Sequence, residues 1–89
     1  MGDIYQFSIE DFRKRSDAAK KYLVKEYAVN FLIVAASVVN DGNKAEIIVN
    51  DAFQELIKNV EQFHSLNAIK EFLYNRVNEE CEKFNQSIV

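Results

Sequence analysis

"VVNDGNKAEIIVND", residues 38–51, is the stretch that decides the fold class of this chain. It contains Gly42, one of only two glycines in a sequence without proline, and so the clearest break between regular elements. The pair Asp41-Gly42, flanked by apolar residues, is typical of a β-hairpin turn. The same pair can separate two helices, with the glycine ending the first in a left-handed conformation. The pattern of the residues on either side of this pair indicates which of the two structures forms.

The segment after Gly42 favours a helix. Asn43 and Glu46 have the N-cap and N3 spacing of a capping box, and only Ile47 departs clearly from the pattern that follows. We therefore predict a helix over 44–64, with Gly42 as the left-handed residue that closes the preceding helix and Asn43 as the N-cap of the next. Its apolar face, at helical spacing, consists of Ala45, Val49, Ala52, Phe53, Leu56, Val60 and Phe63.

A second apolar face at helical spacing predicts a further helix over 66–85. The junction "FHSLNA", residues 63–68, lacks glycine and proline, and Ser65 is its one plausible N-cap. A single rod through this junction would be on the order of 60 Å long and would require dimerisation to cover it. Typical helix lengths favour a break near 64–67 instead. The face consists of Leu66, Ile69, Leu73, Val77, Cys81 and Phe84.

The N-terminal half predicts one long helix. Ser8 and Asp11 form a weak capping box, so a helix should begin directly after Ser8. Residues 28–39 are apolar in nearly every direction, which is typical of a helix surrounded by protein. We predict a helix over 9–39, kinked near Asn30. Its first apolar face spans roughly 80° and consists of Phe12, Ser16, Ala19, Leu23 and Tyr27.

These elements predict an all-α protein with a single domain over residues 1–89. The helices 9–39, 44–64 and 66–85 would form a three-helix bundle. A chain of 89 residues buries a modest share of its unfolded surface. Because three wide apolar faces exceed what one short chain covers, we expect the bundle to form a homodimer.

The alternative is an α+β fold with a hairpin at 29–49. Its strands would lie near Val29–Val39 and Ala45–Val49, where β-branched residues are frequent. The Asp-Gly pair between them supports this alternative.

Composition narrows the compartment and the class of protein. One cysteine excludes a disulfide-stapled scaffold. The N-terminal residues lack the basic and apolar regions of a signal peptide. The longest apolar run, Phe31–Val39 with only Ser37 interrupting it, has nine residues, fewer than half of those needed to span a bilayer. We expect a cytoplasmic protein without membrane contact.

The sequence shows no constellation of catalytic, cofactor-binding or metal-binding residues. Two isolated glycines cannot supply a phosphate loop. His64 and Cys81 are single residues of their kinds, so a zinc site within one chain is not expected. We expect His64 to be structural or exposed and Cys81 to be a core residue. The leading hypothesis is a small non-enzymatic protein that binds another protein, as a regulator, an inhibitor or an assembly subunit of a larger complex.

Charge is unevenly distributed along the chain. Residues 1–40 carry six basic and five acidic side chains, a net +1, while residues 41–89 carry five and nine, a net −4. The first predicted helix bears a basic ridge on the side opposite its apolar face. This ridge supports a second hypothesis, that the chain binds nucleic acid or a nucleotide. The candidate contacts for a partner or a phosphate are Arg13, Lys14, Lys21, Tyr22 and Lys25.

The N-terminal "IYQF", residues 4–7, is the candidate docking segment outside the helices. It combines an aliphatic side chain with two aromatic rings. We expect it to fold back on the bundle or to reach a second chain.

Overall fold

The computed structural model describes residues 5–88, and the side chains of residues 5–86. Within this range the chain is helical and contains no strand, which confirms the all-α prediction and makes the hairpin alternative wrong. The helical spacing of the apolar residues after Gly42 outweighs their β propensity, because it lets them share one buried face. The elements are α1 (Ile9–Arg13), α2 (Asp17–Val39), α3 (Gly42–Lys58), a 3₁₀ turn (Val60–Gln62) and α4 (Leu66–Ile88).

The helix predicted over 9–39 is divided in two. It begins directly after Ser8, as predicted, and the Ser8 hydroxyl oxygen accepts a hydrogen bond from the Asp11 backbone N–H at 3.3 Å. Arg15 then adopts a left-handed conformation with φ of 65°. Ser16, predicted on the apolar face, caps α2 instead by accepting from the Ala19 N–H at 3.5 Å. The helix α2 runs through position 30 without interruption, and the kink near 30 stays a prediction.

The boundary between α2 and α3 lies at the predicted place, but its residues have different roles. Asn40 is the left-handed residue, with φ of 55°, and its N–H donates to the Ala36 carbonyl oxygen at 2.9 Å. Asp41 is the N-cap, because its Oδ1 accepts from the N–H groups of Asn43 (3.1 Å) and Lys44 (3.2 Å). Gly42 is the first residue of α3 and has no positive φ.

The predicted roles of Gly42 and Asn43 are therefore wrong. The physical reason is that asparagine tolerates the left-handed region better than most residues, so the helix can end before the glycine. A carboxylate is also favourable beside the positive end of a helix dipole, which suits Asp41 to the N-cap position. The start of α3 consequently lies two residues before the predicted Lys44.

The break in the C-terminal half is confirmed, and the single rod is wrong. Helix α3 ends at Lys58 instead of His64, and the 3₁₀ turn continues the chain. Helix α4 begins at the predicted Leu66 and extends past residue 85. The Ser65 hydroxyl oxygen accepts from the Ala68 N–H at 3.1 Å, as expected for its N-cap role.

The three long helices contact one another pairwise, and α1 packs against α2 and the 3₁₀ turn. The predicted apolar face of α3 is in the core, including Val60 and Phe63 beyond the end of the helix, and so is that of α4 except for Leu66 and Phe84, which are partly buried against it. Cys81 is a core residue, 1% exposed, and its burial raises the pKa of the thiol. The buried side chains are Phe12, Ala19, Leu23, Ala35, Val39, Ala45, Ile48, Val49, Ala52, Phe53, Leu56, Val60, Phe63, Ile69, Leu73, Val77 and Cys81.

Helix α2 buries one narrow stripe instead of being surrounded by protein, so that expectation is wrong. The buried residues recur at every fourth position. In a helix of 3.6 residues per turn, each step of four residues moves the stripe by about 40° around the helix axis. The inward face therefore winds around the helix, and the opposite side stays exposed along most of its length. The stripe consists of buried Ala19, Leu23, Ala35 and Val39 with partly buried Tyr27 and Phe31.

Replacing Gly42 by alanine should stabilise the protein. A Cβ at this position meets no atom within 4 Å, and the backbone there is in the first turn of α3. We expect Gly42→Ala to raise the free energy of unfolding by about 0.5 kcal/mol, because alanine restricts the unfolded chain more than glycine does. Denaturant unfolding followed by far-ultraviolet circular dichroism measures the change.

The matched variant is Asn40→Ala. Because Asn40 has a left-handed backbone, alanine there should lower the free energy of unfolding by about 1 kcal/mol. The opposite pattern, with Gly42→Ala destabilised and Asn40→Ala unaffected, would place the left-handed residue at Gly42 and contradict the observed boundary.

Candidate protein-binding surfaces

The predicted basic ridge is not one continuous surface. Arg13 ends α1 and Lys14 follows it, whereas Lys21 and Lys25 lie exposed on α2 beyond the turn. The Arg13 Nη2 donates to the Glu61 carbonyl oxygen at 3.2 Å. The break between α1 and α2 thus separates two of the predicted bases from the other two.

Arg15, which the sequence did not single out, anchors the turn between α1 and α2. Its Nη1 donates to the Ile57 carbonyl oxygen at 2.7 Å, and its Nη2 lies 3.8 Å from Glu61 Oε1. Carbonyl groups at the end of a helix lack partners within that helix and interact favourably with cations. Arg15 therefore connects the turn after α1 to the end of α3, and Arg13 connects α1 to the 3₁₀ turn.

Tyr22 lies in an aromatic cluster formed with the N-terminal segment. Its ring stacks on Phe7 with centroids 5.4 Å apart, and Tyr5 lies 6.0 Å away on a tilted ring plane. The Phe7 ring also lies 6.4 Å from that of Phe12. The segment from Tyr5 to Phe7 therefore folds back on the helices, which is one of its two expected positions; Ile4 lies outside the described residues. Because Phe7 covers part of Tyr22, little of that ring is free to stack on a base.

An apolar surface that the sequence did not predict lies on α2 and α3. We call it the outer face and define it by Val29, Ile33 and Ile47, which are 61%, 62% and 54% exposed. A groove of about 580 Å³ between the helices adjoins it. The groove lining includes Val24, Ala28, Val29, Leu32, Ile47 and Phe53, with Asn43, Glu46 and Asn50 at its polar edge.

Ser37 adds little polarity to the exposed side of α2. Its hydroxyl oxygen lies 3.0 Å from the carbonyl oxygens of both Ile33 and Val34, so the hydroxyl donates to its own helix. A serine bonded in this way needs no partner outside the helix. From Phe31 to Val39 the exposed surface is thus effectively apolar.

A second groove, between α2 and α4, is aromatic. We call it the aromatic groove; it holds about 520 Å³. Tyr74 is 54% exposed, and the Lys70 Nζ lies 5.7 Å from the centroid of the Tyr27 ring. Tyrosine is among the residue types enriched at protein interfaces. The lining consists of Tyr27, Asn30, Phe31, Lys70, Glu71, Tyr74 and Asn75.

By length and composition alone, α2 could also cross a membrane. It is the one helix in the described part of the chain that passes this test, and 17% of its most apolar 18-residue stretch is buried. A core helix of a soluble protein and a signal sequence near the N-terminus pass it as well. The absence of membrane contact stays a prediction.

The remaining titratable residues are dispersed. His64 is exposed, while Cys81 is buried in the core. Of the three glutamates near the end of α4, Glu80 pairs with Lys83 at 3.2 Å. Within the described residues, no group of three or more histidine, cysteine, aspartate or glutamate side chains could hold a metal ion.

Comparison with protein-family models, with curated proteins and with solved structures finds no match for this chain.

The docking of the N-terminal segment should make stability sensitive to high pH. The Tyr5 hydroxyl donates to Asp11 Oδ2 at 2.9 Å. Burial raises the pKa of Tyr5, and this hydrogen bond raises it further to a smaller extent. Since the folded-state pKa is the higher one, folding favours the protonated phenol. The stabilisation is complete below about pH 10 and is lost as the pH rises through the folded-state pKa.

We expect the free energy of unfolding to fall above about pH 10, and to fall less in Tyr5→Phe. Denaturant unfolding at several alkaline pH values measures this difference. Tyr74→Phe, which removes an exposed phenol on α4, controls for the loss of one tyrosine and should keep the parent's pH dependence. Identical pH profiles for Tyr5→Phe and the parent would contradict the contribution of the Tyr5-Asp11 bond.

Proposed function

We propose that this chain is a small non-enzymatic protein that acts by binding another protein, and that it does so as a homodimer. The observation that carries the proposal is the exposed apolar side of α2, where Val29 and Ile33 are 61% and 62% exposed. Single exposed apolar side chains are ordinary on protein surfaces, but neighbouring ones on one helix mark an interaction surface. A regulator, an inhibitor and an assembly subunit would all use such a surface.

The aromatic groove supports the partner-binding part of the proposal. Tyr74 combines a large apolar area with a hydroxyl group and few rotatable bonds, so it gains contact at low cost in conformational entropy. Lys70 over the Tyr27 ring and the amide of Asn30 add polar groups that can orient a partner. The groove lies on the α4 side of α2, whereas the outer face lies toward α3. The chain therefore offers separate surfaces for a partner and for a second copy.

The alternative, nucleic-acid or nucleotide binding, draws less support from the geometry. Arg13 contacts a backbone carbonyl, and Tyr22 stacks on Phe7. Lys21 and Lys25 remain exposed on α2 as possible phosphate contacts. The whole chain carries a net charge of −3, which opposes non-specific attraction to a polyanion.

Photo-crosslinking tests partner binding at the aromatic groove. Replacing Tyr74 by the photo-crosslinking amino acid benzoylphenylalanine, in the cells that make this protein, should capture a protein other than the chain itself. Lys58, exposed at the end of α3, provides the matched control position. With the captured partner purified, Tyr74→Ala should weaken its binding roughly tenfold, as for tyrosines at the centre of interfaces.

Two results would refute the proposal. One is a set of crosslinked proteins that is the same at Tyr74 as at Lys58. The other is enzymatic turnover by the pure protein that disappears when a single polar residue is replaced.

Charge reversal tests the alternative. If the chain binds nucleic acid through the basic residues of its N-terminal half, then Lys14→Glu, Lys21→Glu and Lys25→Glu together should abolish binding of a labelled single-stranded oligonucleotide at low salt. Fluorescence anisotropy measures the binding, and its salt dependence reports the number of phosphate contacts. We expect no binding by the parent.

The matched control reverses Lys58, Lys70 and Lys83, which changes the net charge by the same amount. Binding by the parent that this control keeps, and that the first triple variant loses, would favour the alternative over the protein-binding function.

A further inference from the structure

We propose that the outer face is the interface of a two-fold symmetric homodimer in which the two α2 helices pack antiparallel across Val29 and Ile33. The inference rests on the homodimer of the proposed function and specifies its surface and geometry. It does not depend on the aromatic groove, which faces α4. The partner that occupies this face is a second copy of this chain.

The exposed area of the chain matches what such an interface needs. The chain exposes 6211 Å², whereas a folded monomer of 10.3 kDa is expected to expose about 5,400 Å². The excess, on the order of 800 Å², is of the same order as the area that one partner buries in an interface of standard size. The helices form a flat body with extents of 46 × 32 × 17 Å, so they leave broad faces without cover.

The charges at the two ends of the outer face are complementary. Lys21 and Lys25 lie exposed toward the start of α2, and Asp41 and Glu46 lie exposed where α2 ends and α3 begins. Among the described residues, neither lysine and neither acid forms an ion pair. Because Asp41 caps α3 through its Oδ1, the charged groups available for contacts with another molecule are Lys21, Lys25 and Glu46.

An antiparallel arrangement brings these ends together. A two-fold axis between Val29 and Ile33 places Val29 of one copy against Ile33 of the other. It also places Lys25 opposite Ser37 of the second copy, near the end of α2 that is joined to α3, and we infer that it meets Glu46 of that copy. Each apolar contact and each charge contact occurs twice, as a two-fold interface requires. The same surface is thus complementary to itself in the arrangement of its apolar residues and in its charges.

A membrane surface fits this face less well than a second copy does. Polar Asn43, Glu46 and Asn50 line the adjoining groove, and Lys25 lies one helical turn before Val29. An apolar centre with a polar rim is typical of a protein interface. The net charge of −3 also disfavours contact with anionic lipids.

The first experiment measures the mass of the full chain by light scattering and by sedimentation equilibrium. We expect the parent to have twice the monomer mass of 10.3 kDa at concentrations of about 100 μM. Val29→Glu and Ile33→Glu should each be monomeric, because a carboxylate would be buried against apolar groups. Tyr74→Glu, at an equally exposed apolar position on α4, should remain dimeric.

Circular dichroism shows whether each variant is folded. We expect both to fold, because the side chains of Val29 and Ile33 are more than half exposed in the parent. A monomeric parent would overturn the proposal, and so would a dimer that persists in Val29→Glu and Ile33→Glu. A parent that stays monomeric in solution but floats with phosphatidylcholine and phosphatidylserine vesicles would assign the face to a membrane instead.

The second experiment tests the antiparallel pairing. Lys25→Glu and Glu46→Lys should each weaken dimerisation on the order of tenfold, because each places like charges together twice. The double variant restores opposite charges and should return to within about threefold of the parent. Lys58→Glu, away from the outer face, should leave the dissociation constant unchanged.

If the double variant loses as much dimerisation free energy as the two single variants lose together, the pairing of Lys25 with Glu46 is wrong. These readouts are separate from partner capture at Tyr74. The dimer can fail while partner binding stands, and partner binding can fail while the dimer stands.

Discussion

Four side-chain oxygens set the points at which the helices of this chain begin, and the packing depends on them. Ser8, Ser16, Asp41 and Ser65 each accept a hydrogen bond from a backbone N–H in the first turn of the helix that follows. Such a cap stabilises a helix by about 1 kcal/mol. In a sequence without proline, and with no described glycine at positive φ, the caps divide a chain that is otherwise favourable to helix throughout. They allow the three long helices to turn back on one another.

The sequence predicted α3 and α4 well because each has one apolar face of constant direction. Ala45 to Leu56 and Leu66 to Cys81 follow helical spacing, and burial follows the same pattern. The details of the boundary at 40–42 were harder, since Asn40, Asp41 and Gly42 are all residues that end or start helices. The choice among them depends on backbone angles that residue type alone does not determine.

The basic ridge and the outer face show why the surface was harder to predict than the core. A continuous helical count placed Lys14 on the same face as Lys21 and Lys25, and the turn at Arg15 invalidates that count. The outer face was missed because residues 28–39 are apolar on all sides, so the sequence does not show which side is buried. The one available sign was the recurrence of large or small apolar residues at every fourth position from Ala19 to Val39.

The short connections between the helices have a consequence for how fast the fold forms. Residues 40–41 join α2 to α3, and the seven residues 59–65, which include the 3₁₀ turn, join α3 to α4. Neighbouring helices therefore meet with little loss of loop-closure entropy, and helical chains of this kind fold in microseconds to milliseconds. Because the helices pack quickly, the apolar side of α2 spends little time exposed in a loosely packed intermediate that could aggregate.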